Sequence, residues 1–211
     1  MSQLALPLAW PDDPQEAEFL LSTSNAQAAQ HLRRVGAWPV MSSILVGPRK
    51  SGRSLLARIF ARQTGGTIID DAERHPEAAI FHAWNAAQMD RRPLLIVADA
   101  APPVWKIGLP DLRSRLGATP SVRIEPPDDL LMQALFERAF MRRGLDARPE
   151  LVQWLLARVE RSYVAISRTV DALDQEVLQH RKRLSIPLAR ATLASAGLII
   201  DRRAESGEAS S

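Results

Sequence analysis

The fold class predicted by this sequence is an α/β unit on a reduced parallel sheet of about four strands, followed by a small all-α unit. Three observations predict it. Short apolar runs without polar alternation occur at residues 43–46, 67–69 and 94–97, with a weaker one at 121–124, and each ends near glycine, aspartate or proline. A strand buried on both faces reads this way. Helical periodicity fills the intervals, and strands alternating with helices imply crossovers and a parallel sheet with its functional groups at the carboxyl ends of the strands. After Pro127 only helical patterns remain.

The elements follow in order. Gln3-Leu4-Ala5-Leu6-Pro7-Leu8 is an apolar head that the turn-rich Trp10 to Pro14 separates from the body, so residues 1–14 read as an extended arm. Ser24 or Asn25 is expected to cap a helix running to about Val35, which Gly36 to Pro39 ends. The strand at 43–46 stops at Gly47-Pro48, and Leu55, Leu56, Ile59 and Phe60 then recur at helical spacing. The next two runs end in Asp70-Asp71 and Ala98-Asp99 and flank a helix over about 76–89. The expected organisation is an α/β domain over 15–127, a helical lid over 128–200 with helices near 128–143, 149–160, 164–180 and 187–196, and a disordered polar tail over 201–211.

Composition excludes several classes of function. At 211 residues, 46% hydrophobic and 24% charged, the chain is of the soluble globular type. No apolar stretch approaches the roughly 18 residues of a membrane helix, and no basic segment precedes an apolar one at the start, so a cytoplasmic protein without a membrane partner is expected. The absence of cysteine excludes disulfides, thiolate metal sites and a cysteine nucleophile. A net charge of +3 demands no large DNA-binding face. Only Lys50, Lys106 and Lys182 among the 27 basic residues are lysines, so any single arginine acquires a role from its position alone.

Gly47-Pro48-Arg49-Lys50-Ser51-Gly52-Arg53-Ser54 fits the phosphate-loop pattern GxxxxGK[ST] except at one place, where Arg53 replaces the lysine. In such a loop Gly47 and Gly52 let backbone N–H groups close around phosphate oxygens at a helix N-terminus, and the hydroxyl, here Ser54, binds Mg²⁺. Arg53 keeps the charge but is longer and planar, so hydrolysis is expected to suffer. Asp70 ends a strand as a Walker B carboxylate would, and joins Ser54 as a candidate Mg²⁺ residue. Asp71 follows it where a water-activating acid is expected.

Several segments together resemble the DnaA-related AAA+ family, and within it the Hda-like regulators of replication initiation. They are QLALPL, GPRKSGRS, IIDDAE, FHAWN, LLIVADAAPP, GLPDLRSRL and RLSIPLARATL, which occur in the family's order over most of residues 3 to 193. The resemblance implies a sliding-clamp-binding motif in the head, with Gln3 as polar anchor, Leu4, Leu6 and Leu8 as apolar residues entering a groove, and Pro7 holding the arm away from regular pairing. It implies that Arg115 is an arginine finger reaching a neighbour's nucleotide in trans, with Arg113 supporting the interface, and that Asp99 is a phosphate-sensing residue at the end of its strand. It further implies ADP or ATP with Mg²⁺ as cofactor and the sliding clamp and DnaA as partners. DNA would be reached only through the clamp, and a homodimer is an open alternative.

Two departures from the family stand out. Only about sixteen residues separate Ser54 from Asp70, leaving no room for the usual intervening strand and helix. In the lid, Ala165 stands where the family's second sensor arginine is expected, with Arg161 and Arg168 as substitutes. Together with Arg53 this predicts weak or absent intrinsic ATPase activity. The resulting reading is a regulator that binds the clamp through its head and promotes hydrolysis of DnaA-bound ATP through Arg115. The alternatives are an autonomous P-loop ATPase and a DnaA-related DNA-binding module, the latter disfavoured because the chain ends soon after the lid.

Overall fold

The computed structural model describes residues 19–180 and 182–200, so the head and the tail lie outside the described residues. The chain divides into two compact units between Pro126 and Pro127.

In the first unit the chain runs through α1 (Thr23–Arg33), β1 (Ser42–Val46), α2 (Arg53–Thr64), β2 (Thr67–Ile69), α3 (Glu77–Asp90), β3 (Leu94–Ala98), α4 (Pro110–Ala118) and β4 (Ser121–Arg123). The strands form one four-stranded sheet in the order β2-β3-β1-β4, and every pairing is parallel. Ile44 of β1 lies opposite Ile96 of β3 and Ser121 of β4, which brings the ends of β1 and β3 level. These two central strands are buried at every residue because helices cover both faces, which accounts for their unbroken apolar runs. Ile44, Val46, Leu94 and Ile96 pack with Ile80 of α3 and Leu112 of α4 on one face. The helix α2 packs against β2 and β3, and α1 against β4.

The cap of α1 differs from the sequence expectation. Ser22 is the N-cap, accepting from the Ser24 N–H at 3.2 Å, while Asn25 Oδ1 accepts from the Ser22 N–H at 2.9 Å. Ser24 and Asn25 are therefore buried first-turn residues, and Asn25 closes a reciprocal capping box that a search for a single cap residue does not register.

The second unit contains α5 (Asp129–Arg142), α6 (Pro149–Leu156), α7 (Tyr163–His180) and α8 (Ile186–Ser195). Asp128 caps α5 by accepting from the Leu131 N–H at 2.8 Å, and prolines occupy the first turns of α6 and α8, where no N–H partner is needed. Met132, Phe136, Phe140, Leu155, Val170 and Leu193 are among the fully buried side chains of its core. None of the described helices is long and apolar enough to cross a membrane.

Candidate functional site

The phosphate-loop turn forms where β1 enters α2. The Ile124 N–H donates to the Val46 carbonyl at 2.8 Å, and a side chain at Gly47 would come within 2.9 Å of the Ile124 carbonyl, so only glycine lets the two backbones approach. Lys50 and Gly52 both take left-handed conformations, at φ 63° and 87°, and α2 starts at Arg53. Phe19 is buried with its ring beside Gly52, where an added Cβ would lie 3.2 Å from it. Ser51 is also buried, and its hydroxyl has no hydrogen-bond partner.

Arg53 does not stand in for the lysine. Its guanidinium is buried and turns to the end of β3, where Nη1 donates to the Ala98 carbonyl and Nη2 pairs with Asp99 Oδ1 at 2.6 Å. The Asp99 N–H donates to Glu73 Oε1, as does the Ala100 N–H at 3.3 Å. The chain's own carboxylate and carbonyl thus occupy the charge that would face a phosphate. The loop has the turn of a nucleotide site without an available cation at the lysine position. The residues present do not fit a nucleotide held for hydrolysis.

Asp70 and Asp71 follow β2, an edge strand. Asp70 Oδ1 accepts from the Asp71 N–H at 3.0 Å, and Asp71, at φ 48°, lies 3.5 Å from Arg74 in an exposed pair. Among the described residues no group of three or more His, Asp or Glu side chains could hold a metal. Ser54 lies half-buried in the first turn of α2.

Arg115 departs from the exposed, free guanidinium that a finger suggests. It is half-buried, with its Cζ over the rings of Phe81 at 4.9 Å and Trp84 at 4.7 Å. The reason lies in α3 and α4, which pack together, so the outward arginine of one finds aromatic faces on the other. Among the described residues no carboxylate lies within ion-pair distance of it. Arg113 is exposed and lines a cavity of about 580 Å³ with Pro102, Pro103, Trp105 and Lys106. Glu77 secures this region by accepting from the Gly108 N–H at 2.8 Å and the Leu109 N–H at 2.6 Å. Those two backbone donors, with the nearby Arg113 charge, hold its carboxyl below the ordinary value.

In the lid, Ala165 is buried in the helical core, so this position faces the unit's own interior. Arg161 pairs with both oxygens of Asp129 at 2.8 and 2.9 Å, and Arg168 is exposed.

Sequence reasoning missed Phe19, Glu73, Glu77, Thr119 and the aromatic pair on α3. Only the pair had a local signal: Phe81 and Trp84, three residues apart within FHAWN, fall on one helix face.

Residues 128–193 match the family model described as Hda, lid domain. The fold is similar to domain III of the Thermotoga maritima replication initiation protein DnaA, with a TM-score of 0.69 at 14% identity, covering 84% of this chain and 94% of that one. It is also similar to AMPPCP-bound DnaA from Aquifex aeolicus, with a TM-score of 0.57 at 14% identity over 81% of this chain and 70% of that one. A further match is the RuvB Holliday junction branch migration motor of Thermotoga maritima, with a TM-score of 0.56 at 15% identity over 73% of this chain and 61% of that one.

Proposed function

We propose that this chain, whose residues 128–193 match the Hda lid domain and whose fold is similar to domain III of DnaA, is a DnaA-related, Hda-like AAA+ protein that regulates replication initiation by promoting hydrolysis of ATP bound to DnaA while its head holds it on the sliding clamp. The observation that carries this reading is the unequal engagement of two arginines. Arg53 is bound to Ala98 and Asp99 of its own chain, which argues against turnover at its own loop. Arg115 has no carboxylate partner among the described residues, and its donors are available to another molecule.

In this mechanism Arg115 acts in trans. Its planar guanidinium donates to the oxygens of the partner's transferring phosphoryl group and stabilises the charge that spreads over them as the bond to the leaving group lengthens. Arg113, exposed on the same helix, supports the contact. Gln3, Leu4, Leu6, Pro7 and Leu8 act as an extended docking peptide, with one hydrogen-bonding anchor and several apolar side chains. DNA enters only as the track on which the clamp sits. Gly47, Gly52 and the first turn of α2 serve as scaffold, and Ser54, Asp70, Asp71 and Asp99 carry out no step of the reaction.

The test is DnaA ATP hydrolysis measured with clamp, DNA and this protein, with and without Arg115→Ala. Stimulation by the native chain that disappears in the variant supports the reading. Absence of stimulation by the native chain sinks it.

A further inference from the structure

The aromatic contact of Arg115 is fixed at several points. Phe81 and Trp84 share one face of α3 and are half-buried beneath the guanidinium. The Trp84 indole N–H donates to Thr119 Oγ1 at 3.1 Å, and the buried Thr119 hydroxyl donates to the carbonyl of Arg115 itself at 2.8 Å. One turn further along α3, Gln88 accepts from the Met41 N–H at 2.9 Å and donates to Ser42 Oγ at 3.2 Å, which ties the helix to the start of β1. The indole is therefore pinned through Thr119 to the backbone of the arginine it faces, on a helix that Gln88 ties to the sheet.

A ring face attracts a cation through its quadrupole and accepts no directed hydrogen bond. A guanidinium carries five N–H donors in its own plane. Contact through ring faces thus restrains Arg115 while leaving those donors for phosphate oxygens, whereas an ion pair such as that of Arg53 restrains the group by occupying them.

We propose that Phe81 and Trp84 form an aromatic clamp that positions Arg115 for the phosphoryl group of a nucleotide bound to the partner. The proposal rests on the reading of Arg115 as a residue acting in trans. Neither ring touches phosphate, so both are positioning residues. They act by holding a long, many-rotamer side chain near its productive geometry.

Two measurements on the full-length chain test it. The first needs no partner: the Nε–Hε resonance of Arg115, assigned by its loss in Arg115→Lys, is expected to be displaced by the ring currents of both aromatics and to move to the position of a mobile arginine in Trp84→Leu. The second is DnaA ATP hydrolysis at saturating regulator with clamp and DNA. Trp84→Leu is expected to lower the maximal rate about tenfold with the half-saturating concentration unchanged, while Trp84→Phe, which keeps a ring face, retains most of the rate. Thr119→Val, which unpins the indole and leaves it in place, is expected to lower the rate roughly two- to fivefold, and it keeps the test valid if Trp84→Leu does not fold.

A mobile-arginine resonance in the native chain overturns the clamp. So does a full rate in both Trp84→Leu and Thr119→Val when Arg115→Ala has lost stimulation. Full stimulation by Arg115→Ala refutes the action in trans itself, a separate result because the resonance reports the clamp without any partner.

Discussion

Arg53 and Arg115 have the same side chain on two helices of one unit, and the protein holds them in opposite ways. Arg53, buried in the first turn of α2, is bound through its N–H edge to the Ala98 carbonyl and Asp99. Arg115, half-buried on α4, is bound through its face to Phe81 and Trp84. An arginine held by its donors is a structural cross-link, whereas one held by its face keeps those donors for another partner. Position in a motif is therefore a poor guide to an arginine's role until its partners are known.

The largest effect that would break this contrast concerns Arg115. Arg115→Ala should lower the stimulated rate of DnaA ATP hydrolysis by about 10³-fold or more, the scale of a finger supplied in trans. Arg115→Lys should recover little, since an ammonium lacks the planar fork. Because two ring contacts go with the guanidinium, the Ala variant should also melt earlier, by an amount corresponding to about 1 kcal/mol. An active Ala variant would shift attention to Arg113.

Next in size is the head, which should be separable from both arginines. Replacing Gln3 and Leu6 with Ala should weaken clamp binding at least about tenfold, or about 1.4 kcal/mol, with the melting temperature unchanged. Unaltered affinity in surface plasmon resonance would remove the docking role.

Arg53→Lys sharpens the other side of the comparison. A lysine lacks the two-armed reach to both the Ala98 carbonyl and Asp99, so its charge should return to the loop and raise affinity for MgADP by about tenfold in calorimetric titration. No change would mark the loop as a turn that has lost its ligand. The native chain alone should hydrolyse ATP well below about 1 per second, an ordinary enzyme rate.

The smallest effect concerns Glu77, which anchors the segment leading into α4. Its carboxyl is held below the ordinary value of 4.5, so its contribution to stability is complete above that value and disappears as pH falls through the lower folded value. Thermal melts over about pH 3 to 6 should show native and Glu77→Gln proteins differing at the upper end and converging at the lower. A constant difference across the range would show that the two backbone hydrogen bonds do not depend on ionisation.

Much of the architecture was legible because it depends on local patterns. Unbroken apolar runs marked β1 and β3, since a strand covered on both faces has no reason to alternate. The short interval between Ser54 and Asp70 fixed the sheet at four strands. The all-helical character after Pro127 anticipated a unit that matches the Hda lid domain. The glycines of the loop before α2 and the first-turn prolines were readable for the same reason, because φ preferences belong to single residues.

What the sequence could not carry was the pairing of groups far apart in the chain. Nothing near Arg53 in sequence says that its guanidinium will meet residues 45 and 46 positions later, and that meeting depends on β1 and β3 lying level in the sheet. Likewise Ala165, aligned by order with a phosphate sensor, faces the core of its own helical unit because the phase of α7 is set by its packing. The sequence determined which groups the molecule has and on which elements they lie. Only the tertiary structure decided which arginine would be tied down and which left with its donors available, because long-range partners are chosen by sheet register and helix packing.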